Sequence, residues 1–442
     1  MAQEVDRLLQ VIFAGRRKSG RLDLEAVEMA TRAAVHRAGA VLLAEVLEPD
    51  GPVEREIPCP CGGTAVYREL RPKRILTVLG PLEIWRPYYL CPRCHIGQTP
   101  QDEELDVAAT ECSPGVRRMM ALVGSQSSFA QGRQQLELLA GLTVTTKAVE
   151  RHAETIGADI AVRQQADMHR VLQWPWPEAG GEPIPTLYVE IDGTGVPVVA
   201  AETQARSGKQ PDEPAHTREA KLGCVFTQTQ LDQKGRPLRD EASTTYTGAI
   251  ETAEEFGRRI FTEAYQRGWN RARKPVVLGD GAPWIWNLAD EHFPGAIQIV
   301  DLYHARDHLW KLSAQLFPSQ PATRQRWTRG LQRKLDQGQS KQLVAQLRSF
   351  HPPNAELAAL LRTEADYFER NAQRMRYPQF KRQKLFVGSG VVEAGCKTII
   401  GSRLKQSGMF WTVRGANAIL ALRCNRLSGK FEDYWESRRH AA

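Results

Sequence analysis

The chain has 442 residues, 42% hydrophobic and 25% charged, which excludes a disordered or fibrous protein and leaves room for roughly two to four globular domains. A formal charge of +8 and a pI near 9.1 favour a polyanion partner, because neutralised phosphates release counterions. No run of about 18 apolar residues occurs, and Met1–Gly20 mixes acids and bases without a signal-peptide core, so no membrane contact and a cytoplasmic, nucleoid-associated location are expected.

Residues 1–50 read as an N-terminal helical region, in which Val27, Ala30, Ala34, Val41 and Val46 form an Ala-rich amphipathic run that Gly51-Pro52 ends. Residues 51–100 read as a zinc-ribbon-like module. Cys59-Pro60-Cys61 opens it, Cys91-Pro92-Arg93-Cys94 closes it, and strand-like runs Ile75–Leu79 and Leu82–Tyr89 meet at Gly80-Pro81 between them. Two close cysteine pairs supply the four soft ligands of a structural Zn²⁺, and so small a β-unit needs such a staple. His95 is a substitute ligand. Eight cysteines in the chain, four of them closely paired, favour a reducing setting with a metal site over a disulfide scaffold.

Residues 101–170 read as a helix-turn-helix region. Leu136–Ala140 ends one helix, Gly141-Leu142-Thr143-Val144 turns, and Thr145 or Thr146 caps the next. Val149, Ala153, Ile156 and Ile160 then form a buried stripe, leaving Lys147, Glu150, Arg151 and Glu154 exposed. Lys147 and Arg151 are the candidate DNA contacts if that helix enters a major groove; plain helix packing is the alternative. Residues 171–185, rich in Pro and Gly from Trp174 on, read as a linker.

From residue 186 the pattern becomes α/β. Strand-like runs Leu187–Ile191, Leu222–Thr229 and Ala242–Tyr246 come first and form antiparallel pairs, since no crossover helix separates them. A helix over Glu251–Arg267, a strand Pro275–Leu278, a helix Pro283–His292 and a strand Ala296–Val300 follow. This order matches a ribonuclease H-like α/β core, with residues 186–304 as its first part and residues 386–442, with C-terminal helices, as its second. Asp192 ends the first strand and Asp280 the fourth beside it, where open α/β sheets gather their chemistry. Glu393 is the one acid between Arg374 and Arg414, a stretch with nine Lys and Arg, and it arrives on a helix opened by a glycine-flanked turn. Hard oxygen ligands of this kind suit two Mg²⁺ or Mn²⁺ ions. Singly, an Asp before Gly is often a turn former, and Glu393 could simply pair with Lys397. Glu190 shares Asp192's face by period two and ranks behind the three as a fourth acid.

The segments Ile191-Asp192-Gly193-Thr194-Gly195, Gly279-Asp280-Gly281-Ala282 and Gly390-Val391-Val392-Glu393 resemble the DDE signature of insertion-sequence transposases, in particular the ISKra type related to the Mutator-like and hAT group. Asp301-Leu302-Tyr303-His304 is similar to that group's (Cys/Asp)-x-x-His motif, which makes Asp301 and His304 accessory residues. Residues 305–385, Gln-, Arg- and Leu-rich and broken at Pro318, Pro321 and His351-Pro352-Pro353, read as an all-helical insertion domain. The resemblance implies a DNA-facing role for it, with Arg324, Arg326, Arg329, Arg333 and Lys334 as candidates; Lys397, Arg403 and Lys405 are further DNA-binding candidates. It also implies a metal-dependent DNA transposase that cleaves insertion-sequence ends and transfers the 3′-hydroxyl strand, working on double-stranded terminal repeats and target DNA as a homodimer or higher oligomer. A ribonuclease H-like nuclease or resolvase without strand transfer, and a transposase-derived DNA-binding regulator, are the alternatives. Trp411 reads as a core aromatic, with base stacking as its other role.

Overall fold

The computed structural model describes residues 17–18, 21–48, 53–173, 181–204, 206, 208 and 215–439. The start of the N-terminal helical region, its Gly51-Pro52 break and residues 174–180 of the linker lie outside the described residues. The chain is a multidomain α+β protein whose described residues fall into two compact units. One comprises residues up to Thr155 and from Glu432 on; the other runs from Ile156 to Phe431. Among the described residues no helix is long and apolar enough to cross a membrane.

In the first unit, helix α1 (Leu24–Val46) starts at Asp23, whose side chain accepts the Ala26 N–H. The helix buries Ala34 and Ala40 and packs Leu43 against Ile75, Leu82 and Ile84, but leaves Val41 and Val46 exposed. Strands β1 (Glu56–Pro58), β2 (Thr64–Thr77), β3 (Gly80–Leu90) and β4 (Gly97–Gln98) form an antiparallel sheet in that order. β2 begins well before the apolar run that marks it in the sequence, because its charged half, Arg68–Arg74, pairs along β3 through a bulge at Tyr67 and Glu69. Helix α2 (Pro114–Gln126) and helix α3 (Phe129–Gln135), which continues as a π turn over Leu136–Ala140, bury Val116, Met120, Leu136 and Leu142 together with Val149. Gly141 then takes a left-handed φ of 68°, and the Thr145 hydroxyl caps helix α4 (Thr146–Gln173) by accepting the Ala148 N–H. The stripe of Val149, Ala153, Ile156 and Ile160 is buried, and Lys147 and Arg151 are exposed.

The second unit is built on a five-stranded mixed sheet. Its strands are β5 (Ile184–Pro197), β6 (Thr217–Gln228), β7 (Thr245–Ala249), β8 (Ala272–Gly279) and β9 (Ile297–Val300), in spatial order β7-β6-β5-β8-β9. β5, β6 and β7 pair antiparallel, while β5-β8 and β8-β9 are parallel. The parallel pairs need crossovers, supplied by helix α5 (Ala253–Gln266) with its Thr252–Glu255 capping box and helix α6 (Pro283–His292) with Pro at its first turn. β5 is the central strand, and Leu187, Tyr188, Val189, Glu190 and Ile191 are all fully buried. The segment read as an insertion is helical, with α7 (Leu302–Leu316), α8 (Pro321–Asp336), α9 (Ser340–Arg348) and α10 (Ala355–Arg370) followed by a short helix over Tyr377–Arg382. The break expected at Pro318 and Pro321 falls between α7 and α8, and Pro321 starts α8, since a missing N–H costs nothing at that position. The chain then returns to the sheet through helix α11 (Gly390–Gly395) and ends the unit with helix α12 (Val413–Leu427). Trp411 is a core aromatic, 7% exposed, and donates its indole N–H to the Leu404 carbonyl.

α4 and α12 approach so closely that a Cβ on Gly157 would stand 2.0 Å from the Ala418 carbonyl oxygen. Because that obstacle is backbone, Gly157→Ala is expected to destabilise the second unit by about 3 kcal/mol, read as a lowered denaturant midpoint; an unchanged midpoint would show that the two helices are not locked at this distance.

Candidate active site

The segment read as zinc-ribbon-like brings its four cysteines together. The sulfurs of Cys59, Cys61, Cys91 and Cys94 all lie within 4.8 Å of one another, with Sγ–Sγ distances of 3.6 Å for Cys59–Cys94 and 3.7 Å for Cys61–Cys91. A tetrahedron with Zn–S bonds of about 2.3 Å has edges of about 3.8 Å, so the group could hold one zinc ion. Each knuckle is a tight turn: the Cys59 N–H reaches the Gly63 carbonyl, and the Cys91 N–H reaches the Ile96 carbonyl. The Cys94 and Arg93 backbone N–H groups point at the Cys91 sulfur and hold that thiol down at about 6, a thiolate ready for a cation. His95 is exposed and outside the group.

The second site is carried by strand register. Ile191 pairs with Gly279, and Gly279 with Val300. The next residues are Asp192, still inside β5, and Asp280 and Asp301, the first residues past the ends of β8 and β9, so the three acids form one rung across neighbouring strands spaced about 4.8 Å apart. Asp192 does not terminate its strand: β5 runs on to Pro197 beside β6, and it is the parallel partner β8 that ends, at Gly279. Asp192 is thus opened on the side where β8 turns away. Its carboxyl is raised above the ordinary value first by burial and then by the charges of Asp280 and Glu393, against the hydrogen bonds of the Cys396 thiol and the Gly193 N–H. Each of the other two has its own anchor. The Asp280 side chain accepts the Ala282 N–H at 2.8 Å, and the Ser389 hydroxyl lies 3.2 Å from Glu393 Oε1. Among the described residues no Lys or Arg pairs with Asp192, Asp280 or Glu393.

Asp301 is fully buried and uses both oxygens. Oδ1 accepts the His304 N–H at 2.7 Å and so caps α7. Oδ2 accepts the Ser389 backbone N–H and, at 2.6 Å, the Ser389 hydroxyl. Asp301 therefore holds His304 by its backbone, not by its imidazole. The His304 ring lies 5.2 Å from His308, which bonds Glu364 at 2.9 Å and stacks on Tyr367 at 4.2 Å. Tyr367 donates its hydroxyl to the Asp280 carbonyl at 2.9 Å, and the Asn371 amide donates to the Gly281 carbonyl. Gly281 has φ +99°, and a Cβ there would strike the Tyr367 ring. Neither Tyr367 nor Asn371 is visible as a site residue in the sequence, because nothing local marks a contact across 87 or 90 positions.

The cations proposed for DNA divide. Arg326, Arg329 and Arg333 are exposed at i, i+3 and i+7 on α8, while Arg324 and Lys334 are half-buried. Lys397 and Lys405 are exposed, and Lys405 reaches the Thr194 hydroxyl two residues beyond Asp192. Arg403 is corrected: it is fully buried, with its guanidinium 5.0 Å from the Trp411 ring, because the turn that follows α11 rotates it inward. It belongs to the core and not to a DNA surface.

No family model matches the sequence, and no curated protein matches it. Among solved structures, the Drosophila P element transposase strand transfer complex aligns with 73% of this chain and 80% of that chain at 9% identity, with a TM-score of 0.23, too loose a likeness to carry an argument.

Zinc analysis of the purified chain should find about one ion, and chelation should lower the melting temperature of the first unit; retention of that temperature after complete metal removal would show the cysteines need no ion. In metal-free protein Asp192→Asn is expected to raise stability at pH 7. A raised carboxyl penalises the folded state as pH climbs past its unfolded value, so the gain should vanish near pH 4, at about the ordinary carboxyl value. A variant less stable at pH 7 would mean that the repulsion is not felt.

Proposed function

We propose that this chain is a DDE-type DNA transposase with a ribonuclease H-like catalytic core, which cleaves insertion-sequence ends and joins the freed 3′-hydroxyl to target DNA. The observation that carries the reading is the rung of Asp192, Asp280 and Asp301, with Glu393 felt electrostatically by Asp192. The sheet order, with two antiparallel strands on one side of β5 and two parallel strands on the other, and the DDE-like motifs support it. Asp192, Asp280 and Glu393 offer hard oxygen donors without a Lys or Arg among the described residues to pair with them, which fits Mg²⁺ or Mn²⁺. Two such ions, when bound, would stabilise the attacking and leaving oxygens of phosphoryl transfer. Asp192 is fixed by its central strand, Asp280 by the turn that Tyr367 and Asn371 hold, and Glu393 by its helix. Asp301 acts behind them by tying Ser389. Lys405, Lys397 and the α8 arginines are suited to phosphates flanking the site, and Lys147 and Arg151 to a terminal repeat. A dimer or larger assembly follows from the need to hold two DNA ends.

Asp280→Ala or Glu393→Ala should reduce strand cleavage about 10³-fold or more while leaving binding of the same DNA in EDTA within about threefold, since the binding cations are untouched. The substrate is a donor carrying the DNA that flanks this gene on both sides, incubated with target plasmid and Mg²⁺ or Mn²⁺. Joined products support a transposase, nicks without joining support the nuclease or resolvase reading, and binding without cleavage by the unaltered protein supports a regulator. Cleavage by Asp280→Ala at the unaltered rate would overturn the assignment.

A further inference from the structure

Glu190 has no exposed surface, lies in the middle of the central strand, and forms no ion pair among the described residues. It pairs across β6 with Cys224 and across β8 with Leu278, so it faces the same side of the sheet as Asp192, two residues on. Its Oε2 accepts the backbone N–H of Val392 at 2.9 Å, and the Cys224 thiol lies 3.9 Å away. Val392 immediately precedes Glu393 in the first turn of α11. That turn needs an outside acceptor, because the first N–H groups of a helix have none within it, and Ser389, at the cap position, makes no side-chain cap bond. The carboxyl of a distant strand takes that place. With the Asp301–Ser389 bonds one turn earlier, the segment is held at two points.

We propose that Glu190 is a positioning residue, whose buried carboxyl fixes the Val392 N–H and thereby sets the Glu393 side chain against Asp192 and Asp280. It acts on the geometry of the metal site without reaching the ion itself. The inference rests on the metal-dependent reading above.

The test uses the full chain and titrates Mn²⁺, followed by calorimetry and by plasmid nicking, with thermal melting alongside. Glu190→Gln keeps an acceptor oxygen at the same reach and should hold half-saturating Mn²⁺ within about threefold of the unaltered protein. Glu190→Leu fills the space but leaves a buried donor unpaired, and should raise half-saturating Mn²⁺ about tenfold or more, with DNA binding in EDTA unchanged. Glu190→Asp, which withdraws the acceptor by one methylene, should fall on the weak-binding side and carries the test if Glu190→Leu does not fold. Equal loss of Mn²⁺ binding in Glu190→Gln and Glu190→Leu would overturn the proposal, because Glu190 would then act by its charge. Folded Leu and Asp variants that bind Mn²⁺ like the unaltered chain would overturn it too, leaving a purely structural acid. An unaltered chain that binds no Mn²⁺ would overturn the metal reading itself, a failure distinct from either of these.

Discussion

The second unit depends on how the chain is returned to the sheet after its long helical excursion. Between Val300 and Gly390 it builds five α-helices and then has to bring one short helix back over the strands it left. The return is fastened by scattered hydrogen bonds, not by strand pairing. The Phe386 N–H reaches the Tyr188 hydroxyl, the Val387 carbonyl takes the Leu302 N–H, Asp301 binds Ser389, and Glu190 binds Val392. Each partner is a residue of β5 or of the start of α7. The segment is therefore registered against the sheet residue by residue, and Glu393 inherits its place from that register.

Holding acids this way is costly. Asp192 is half-buried and repelled by Asp280 and Glu393, and Glu190 is pushed up to about 8 by burial and by the charges of Asp301 and Glu393. The site concentrates negative charge where the sheet offers little solvent, and no lysine or arginine among the described residues neutralises its three outer acids. A fold tolerates such an arrangement when the surroundings over-determine it. Here they do: β5 is buried along its middle, Tyr367 and Asn371 brace the Asp280 turn, and Asp301 spends both oxygens on backbone and hydroxyl donors.

Much of this was legible in the sequence where the signal is local. The helix Pro283–His292 has the predicted bounds, since Pro starts it and the apolar stripe of Ile285, Trp286, Leu288 and Ala289 marks its face. The cysteine spacing marked a cluster that the geometry assembles. The strand apolar runs were visible, but their ends were not: β5 outlasts its hydrophobic run because β6 keeps pairing with it, and β7 sits three residues beyond the stretch expected from Ala242. Arg403 looked like one more cation in a basic stretch, and only the turn after α11 decides that it points inward. Glu190 was visible by period two, yet its weight depends on what lies above it, and that is set by Val392 202 residues later.

The insertion acquires a second significance from the same contacts. Its exposed α8 arginines suit a phosphate backbone, but its inner face does something else. His308 stacks on Tyr367 and bonds Glu364, Tyr367 bonds the Asp280 carbonyl, and Asn371 bonds the next residue's carbonyl. α7 and α10 thus grip the Asp280 turn from one side, while the segment they lead into carries Glu393 to the other. A force that moved the insertion on its outer face would be transmitted to both acids through packed rings and hydrogen bonds with little slack. The arginines proposed to hold DNA and the geometry of the carboxylates are, on this architecture, mechanically joined, so that the element proposed to grip the substrate also sets the spacing of the groups proposed to act on it.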